Sequence, residues 1–343
     1  MTKKINILSI DGGGIRGIIP GTILNEIEKR IQAKEGPDKR LVDYVDFVAG
    51  TSTGGILACG MLMPDKNGKP KYSMKEVVDI YLDRGDEIFD ISTKQKIRSL
   101  GGLRDEKYDN AELKDALKDK FGDTWLKDLI KPCLIPAYDT KRRQTKFFNQ
   151  EDAKTETSRN FLVREVAQAT GAAPTYFEAA RIKSELSVPY PLIDGGVFAN
   201  NPAMCAYAEA RSMDFPKKDL PTPSAKDMFM LSIGTGSVKK SYSHSEVKDY
   251  GLVEWIKPLI DIMMSANSET VHYQLRMMFD TVVKKGDTNK DYIRIDPDLL
   301  SASSEMDDAS EENMNHLREA GLDYVASNKN QIDAIVKKLI DNS

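Results

Sequence analysis

The pentapeptide Gly50-Thr51-Ser52-Thr53-Gly54 places a serine between glycines, at the junction of two unlike segments. Residues 45–49, before it, are short and mostly apolar, which predicts a buried strand. Residues 54–63, after it, are small and apolar over a helical length, which predicts a helix. A strand that turns sharply into a helix is typical of α/β folds, so this junction limits the architectures open to the chain.

The N-terminal residues show the same order of strand, glycine turn and helix. Residues 5–10 are short and β-branched and predict a strand, a glycine run follows, and residues 18–33 carry apolar side chains at helical spacing. Helices between successive strands indicate crossover connections and therefore a parallel sheet. Further strands are predicted over residues 133–138, 228–233 and, at an edge of the sheet, 292–295.

Composition excludes several classes of protein. Of the 343 residues, 40% are hydrophobic and 30% are charged, which is enough to build a core and excludes wholesale disorder. The net charge of −4 gives no overall basic signature, so neither DNA nor RNA is expected as a partner. The three cysteines form no C-x-x-C pair, so we expect neither disulfides nor a zinc site. The sequence offers no ligand cluster at metal spacing, and we predict no metal and no cofactor.

Hydropathy predicts a cytoplasmic protein with at most transient, peripheral membrane contact. No apolar run approaches the roughly 18 residues of a membrane span. The apolar stretch at residues 5–10 is interrupted by Asn6 and Ser9, and it is shorter than the roughly 7–15 residues of a secretory signal.

The character of the sequence changes near residue 240. This change predicts an α/β domain over residues 1–240 and a helical C-terminal extension, residues 241–343, packed on that domain. Within the extension, residues 253–279 carry methionines and other apolar residues at helical spacing. This pattern is typical of core or dimer packing, and the alternative is a lid or a surface that contacts lipid.

The serine turn has the composition that a nucleophile elbow requires. Gly50 and Gly54 supply the small neighbours that let a sharp, strained turn expose a serine hydroxyl. The helix N-terminus behind the serine favours developing negative charge. An ordinary turn of Gly, Ser and Thr is the alternative, but the flanking strand and helix favour Ser52 as a nucleophile.

The glycine run after the first strand contains Gly12, Gly13 and Gly14, followed by Arg16. Successive glycines let backbone N–H groups converge on a small anion. The run also satisfies the dinucleotide pattern G-x-G-x-x-G, which requires an acidic residue at the end of the next strand. Here the next strand ends in the serine turn instead. We therefore favour an oxyanion hole, with Arg16 lending positive charge, over a phosphate-binding loop or a plain turn.

A third strand-like segment ends in Asp194-Gly195-Gly196, which by itself fits either a catalytic carboxylate or an ordinary Asp-Gly turn. The chain has three histidines. A Ser-His-Asp triad in the chain order of α/β-hydrolases would use Ser52, Asp194 and His244, and it would make the protein a soluble esterase or thioesterase. His244 lies in a polar stretch with no strand before it, and the other two histidines fall inside predicted helices.

Together these residues resemble the patatin-like phospholipase family. Five motifs occur in the family's order: residues 11–17, 50–54, 172–177, 194–202 and 231–236. The resemblance implies a three-layer α/β/α fold with a mostly parallel central sheet, in which residues 1–240 form the catalytic domain. It also implies phospholipase A activity at a phospholipid membrane surface, through an acyl-enzyme. The implied site is a Ser52–Asp194 dyad without histidine and an oxyanion hole formed by Gly12, Gly13, Gly14 and Arg16, with support from Gly50, Gly54, Gly195 and Gly196.

The layout is also similar to that of bacterial patatin-like effectors in cyclic-oligonucleotide anti-phage signalling. This second resemblance implies a dormant enzyme that a cyclic dinucleotide activates. The sequence is compatible with a homo-oligomer. It does not specify which head-group the substrate carries or which acyl ester is cleaved.

Overall fold

The computed structural model describes residues 3–89, 110–237, 241–282 and 290–343. Eight strands form one sheet. They are β1 (Ile5–Ile10), β2 (Phe47–Gly50), β3 (Cys133–Asp139), β4 (Gln144–Asn149), β5 (Ala180–Lys183), β6 (Pro189–Asp194), β7 (Met228–Ile233) and β8 (Tyr292–Ile295).

Helices of very different lengths surround this sheet. They are α1 (Ile18–Glu35), α2 (Thr53–Leu62), α3 (Met74–Phe89), α4 (Asn110–Phe121), α5 (Gln150–Thr155), α6 (Val163–Thr170), α7 (Gly196–Ala199), α8 (Ala203–Ser212), α9 (His244–Val247), α10 (Leu252–Asp280), α11 (Glu311–Ser327) and α12 (Lys329–Asn342).

The strands follow the order β5-β6-β3-β2-β1-β7-β8, and β4 pairs with β3 beside this path. The pairs β1–β2, β2–β3, β1–β7 and β7–β8 are parallel, whereas β3–β4, β3–β6 and β5–β6 are antiparallel. The register aligns Ile10 with Gly50 on one side and with Ile233 on the other. The carboxyl ends of β1, β2 and β7 therefore meet at one edge of the sheet, where ligands of open α/β sheets bind.

Two hydrophobic clusters cover the two faces of the sheet, because successive side chains of a strand point to opposite faces. On β1, Leu8 and Ile10 belong to the larger cluster, which includes residues of α1, α2, α6, α11 and α12. Ile5 and Ile7 belong to the second cluster, with residues of α8 and α10. The predicted three-layer α/β/α fold with a mostly parallel sheet is therefore confirmed.

The C-terminal part of the chain is not helical throughout. It adds β8 at the edge of the sheet, as predicted for residues 292–295, and β8 pairs with β7. The helices α11 and α12 pack on α1, and α10 contacts α7, α8 and β8. The predicted boundary near residue 240 falls on residues 238–240, outside the described residues, and the division into two domains stays a prediction.

Every helix in the described part of the chain is too short or too polar to cross a membrane.

Candidate active site

Ser52 lies in the sharp turn between β2 and α2. Its backbone has φ of 54° and ψ of −124°, a conformation that costs a non-glycine residue about 1–3 kcal/mol. Glycines make this close turn possible, since a Cβ added at Gly54 would lie 2.3 Å from the carbonyl oxygen of Ile10. A Cβ at Gly50 would lie 2.2 Å from the carbonyl oxygen of Gly54. The local geometry is the strained strand-to-helix turn that the pentapeptide predicted.

Thr170, which belongs to none of the predicted motifs, holds this turn in place. The backbone N–H of Ser52 donates to Oγ1 of Thr170, at 2.9 Å, and the hydroxyl of Thr170 donates to the carbonyl oxygen of Pro136, at 2.6 Å. Thr170 ends α6, and the chain of two hydrogen bonds connects the elbow to β3. Its role could not be read from the sequence because it depends on how α6 packs on the sheet.

Asp194 lies at the end of β6 and lines the same cavity as Ser52. The N–H of Gly196 donates to Oδ1 of Asp194 at 2.7 Å. Burial raises the pKa of Asp194 to about 7, although the side chain of Ser52 and the N–H of Gly196 act in the opposite direction. Gly195 is required for space, since a Cβ there would lie 2.5 Å from the carbonyl oxygen of Pro136. The structure thus joins two residues that are 142 positions apart in the sequence.

Two of the three amides of the glycine loop have no hydrogen-bond partner among the described residues. The N–H of Gly12 is already bonded to the carbonyl oxygen of Asn200, at 3.0 Å. Gly13 and Gly14 line the same cavity as Ser52, and their N–H groups find no acceptor among the described residues. Oγ1 of Thr235 donates to the carbonyl oxygen of Gly12 at 2.9 Å and fixes the loop from the β7 side. Gly13 and Gly14 are therefore the members of the predicted oxyanion hole that have amides free for a ligand.

The side chain of Arg16, predicted to lend positive charge to the oxyanion hole, lies beside the glycine loop. It is buried and lines a neighbouring polar cavity rather than the cavity that contains Ser52. Its Nε donates to the carbonyl oxygen of Gly13 at 3.4 Å, which keeps it beside the loop. Burial lowers the pKa of Arg16, while Asp261 and Asp296 nearby act in the opposite direction. Arg16 therefore contacts the glycine loop through Gly13, and it does not line the cavity that contains Ser52.

A buried ion pair that the sequence analysis missed anchors the start of the glycine loop. Asp11 receives two hydrogen bonds from Arg294 of β8, at 2.8 and 2.7 Å, and one from Ser268 of α10, at 3.2 Å. Burial raises the pKa of Asp11 to about 6, against the opposing effect of Arg294. Asp11 was visible as the first residue of its motif, but nothing local in the sequence pairs it with a residue 283 positions away.

A largely apolar cavity opens beside the serine. Such a lining is typical of small-molecule sites, which place a few polar groups in a hydrophobic cleft. The polar groups here are those of Ser52, Asp194 and the glycine loop. The apolar walls come from seven separate parts of the chain: Ile56 of α2, Ile80 and Tyr81 of α3, Leu113 and Leu117 of α4, residues 171–177, Val197 of α7, Ile260, Met263 and Met264 of α10, and Met306.

None of the three histidines of the chain lines this cavity. His244 is exposed at the start of the short helix α9. His272 makes a hydrogen bond with the Tyr292 hydroxyl at 3.1 Å, and His316 is half-buried on α11. The triad interpretation therefore finds no imidazole beside Ser52 and Asp194. Among the described residues there is also no cluster of three or more His, Cys, Asp or Glu side chains able to hold a metal ion.

Comparison with known proteins identifies the family of the chain. The family model for patatin-like phospholipases matches residues 8–207, more than half of the chain. The chain belongs to the patatin-like phospholipase family. It is thus a lipid acyl hydrolase, an enzyme of the carboxylic ester hydrolase class, as the sequence predicted.

Relatives of this patatin-like phospholipase extend the match along nearly the whole chain. Patatin-like protein 2 of Oryza sativa subsp. indica is 34% identical over 363 residues, covering 99% of this chain and 88% of that protein. Patatin-like protein 2 of Arabidopsis thaliana is 35% identical over 343 residues, covering 92% of this chain and 82% of that protein. Among solved structures, VipD from Legionella pneumophila aligns with 95% of this chain and 67% of its own, at 11% identity and a TM-score of 0.37.

Proposed function

We propose that this enzyme is a phospholipase A that cleaves fatty-acyl esters of membrane phospholipids, with Ser52 as nucleophile and Asp194 as general base. The observation that carries the proposal is that Ser52 and the buried carboxyl of Asp194 line one apolar cavity, where the side chain of Ser52 acts against the rise in the pKa of Asp194. A nucleophile next to a base is the arrangement that covalent acyl transfer requires.

In the first half of the reaction, Asp194 takes the proton of the Ser52 hydroxyl while Oγ bonds to the ester carbonyl carbon. The tetrahedral intermediate then collapses, the bond to the lysophospholipid oxygen breaks, and Asp194 returns the proton to that oxygen. An ordinary aspartate is a weak base, but burial raises the pKa of Asp194 to about 7. This value lies close to neutral pH, where a general base combines sufficient basicity with a large ionised fraction.

The oxyanion of the intermediate is stabilised by the amides of Gly13 and Gly14. Both line the cavity, and among the described residues neither has another acceptor. The N-terminus of α2 directs its partial positive charge to the same place, since α2 starts immediately after Ser52. Removing one such donor typically lowers kcat by about 10²–10³.

In the second half, a water molecule takes the place of the leaving group. Asp194 accepts a proton from this water, the resulting hydroxide attacks the acyl-serine, and Ser52 is released with its proton restored from Asp194. The apolar walls of the cavity bind the acyl chain in both halves. Neither half uses an imidazole, which suits a cavity that no histidine lines.

The proposal includes two partners. The first is the surface of a phospholipid membrane, which the enzyme contacts transiently to collect its substrate. The second is a cyclic dinucleotide that activates a dormant enzyme in anti-phage defence. Its support is the similarity of the sequence layout to nucleotide-activated effectors.

The test is fatty-acid release from mixed phospholipid vesicles, with and without a panel of cyclic dinucleotides. We expect release by the wild type and no measurable release by Ser52→Ala or Asp194→Asn. His244→Ala is the matched control for the triad alternative and should keep wild-type activity.

Three outcomes would contradict parts of the proposal. Activity of Ser52→Ala would exclude the serine mechanism. Loss of activity in His244→Ala would restore the triad. Full fatty-acid release without any nucleotide would contradict the proposed activation by a cyclic dinucleotide and would indicate a constitutively active phospholipase.

A further inference from the structure

The long helix α10 presents an apolar face to solvent. Leu259, Ile262 and Met263 are 49%, 39% and 46% exposed. Their spacing of three and four residues puts them side by side on one face of the helix. Tyr273 and Met277 continue the exposed apolar positions toward the C-terminal end of the helix. Large exposed apolar residues that cluster on a surface mark an interaction site more often than scattered ones do.

This face is continuous with the wall of the catalytic cavity. Ile260, Met263 and Met264 of the same helix turn line the cavity that contains Ser52. Met263 therefore belongs both to the exposed face and to the cavity wall. The exposed face lies at the rim of the cavity, so whatever covers this face also covers the route by which an acyl chain reaches the serine.

Charge distribution along the helix favours an apolar occupant. Between Leu259 and Met263 the only charged residue is Asp261, and Asp261 lines the polar cavity on the other side of the helix. An amphipathic helix of this kind settles in a membrane interface with its apolar face inserted about 5–10 Å. A second copy of the chain at the same place would cover the rim of the cavity, whereas a bilayer would supply acyl chains there.

We propose that the face formed by Leu259, Ile262 and Met263 is the surface by which this enzyme docks on a phospholipid bilayer. The proposal rests on the proposed function, because it takes the phospholipid bilayer to be the source of the substrate. Docking there places the cavity over the lipid, and a fatty-acyl ester reaches Ser52 without crossing water.

The test compares the double variant Leu259→Gln/Ile262→Gln with the parent protein, which keeps both apolar side chains. Neither of these residues lines the cavity, so the chemistry at Ser52 is left intact. Leu322→Gln on α11 is the matched control, because Leu322 is 38% exposed and lies on a different helix. Binding is measured by sedimentation with phosphatidylcholine vesicles, with every protein in a Ser52→Ala background to keep the vesicles intact.

We expect the double variant to bind vesicles about 10- to 100-fold more weakly, since it removes two half-buried apolar contacts with lipid. The control should bind like the parent protein. With Ser52 present, the double variant should lose fatty-acid release from vesicles in the same proportion. It should hydrolyse a soluble short-chain ester, present as monomers, at the wild-type rate.

Equal binding of the double variant and the parent would overturn the docking surface, and so would absence of vesicle binding by the parent. A dimer in light scattering that the double variant dissociates, with vesicle activity unchanged, would assign the face to a second copy of the chain. If the wild type releases fatty acid from no substrate, the proposed function fails, while the sedimentation result still decides the docking surface.

Discussion

Replacing Asp194 by asparagine should stabilise the folded protein at pH 8 while removing its activity. The pKa of this carboxyl rises from an ordinary 3.8 to about 7 because burial penalises the charged form. Asparagine fills the same volume and keeps an oxygen that can accept the hydrogen bond from the Gly196 N–H. It carries no charge, so the cost of burying a carboxylate disappears.

The size and sign of the effect follow from the two pKa values. Between pH 3.8 and about 7 the folded protein keeps the Asp194 proton while the unfolded chain has lost it, so stability falls as the pH rises through this range. The difference between the two values corresponds to about 4 kcal/mol in the free energy of unfolding. The advantage of Asp194→Asn should thus be small below pH 4 and about 4 kcal/mol above pH 8, and more than half of it should develop between pH 5 and pH 8.

Urea denaturation of both proteins at pH 5 and pH 8 measures this difference, because all other titrations are common to the pair. Asp214→Asn, at an exposed position, is the control for loss of an aspartate without burial. A variant that is less stable than the wild type at pH 8, or a difference that is the same at both pH values, would refute the account of a base whose pKa is raised by burial.

Three further predictions concern the same site. The ratio kcat/KM on a soluble ester should rise with pH as Asp194 ionises, with half of the maximum near pH 7 and about a tenth of it at pH 6. Gly14→Ala should lower kcat about 10²–10³-fold, because its φ is 59° and its Cβ would lie 2.2 Å from the carbonyl oxygen of Met306, so the loop amides must shift. Arg294→Met should destabilise the protein by about 3–5 kcal/mol in urea denaturation, since it leaves the Asp11 carboxylate buried without its partner.

Each of these three has a control and a contrary outcome. A pH profile that is flat from pH 5 to 8 would show that Asp194 has an ordinary pKa or is not the base. Gly36→Ala, where a Cβ meets no atom within 4 Å, should leave kcat unchanged. If Gly36→Ala lowered kcat as much as Gly14→Ala does, the loss could not be assigned to a shift of the loop amides. Arg294→Lys should recover part of the stability, and a neutral Arg294→Met would mean that the ion pair contributes nothing net.

Much of the site could be predicted because its parts are local in sequence. The turn at Ser52 follows from two glycines between an apolar strand and a helix, and the glycine loop follows from its composition. Both motifs come directly after parallel strands, so their meeting at one sheet edge follows from topology. The strand Met228–Ile233 was visible as an apolar run that only Ser232 interrupts, which is typical of a strand buried on both faces.

The remaining features depend on contacts between distant parts of the chain. The strand β5 was missed because it has only four residues. The strand-like segment before Asp194 was recognised, but Pro189 and Pro191 obscure its alternation and nothing local shows that it forms a hairpin with β5. Arg16 lines the polar cavity because of how the chain packs around the glycine loop. The spacing of residues in the sequence does not predict this placement. The pairing of Asp11 with Arg294 and the assembly of the cavity from seven segments both require the folded chain.

The most direct test of the account is to find the acyl group on the enzyme. Wild-type protein would be mixed with a phospholipid or an activated ester, quenched in acid during turnover, digested and examined by mass spectrometry. The account predicts a fatty-acyl ester on Ser52 and none in Ser52→Ala. An acyl group on another residue, or hydrolysis at full rate without any acyl-enzyme, would contradict it.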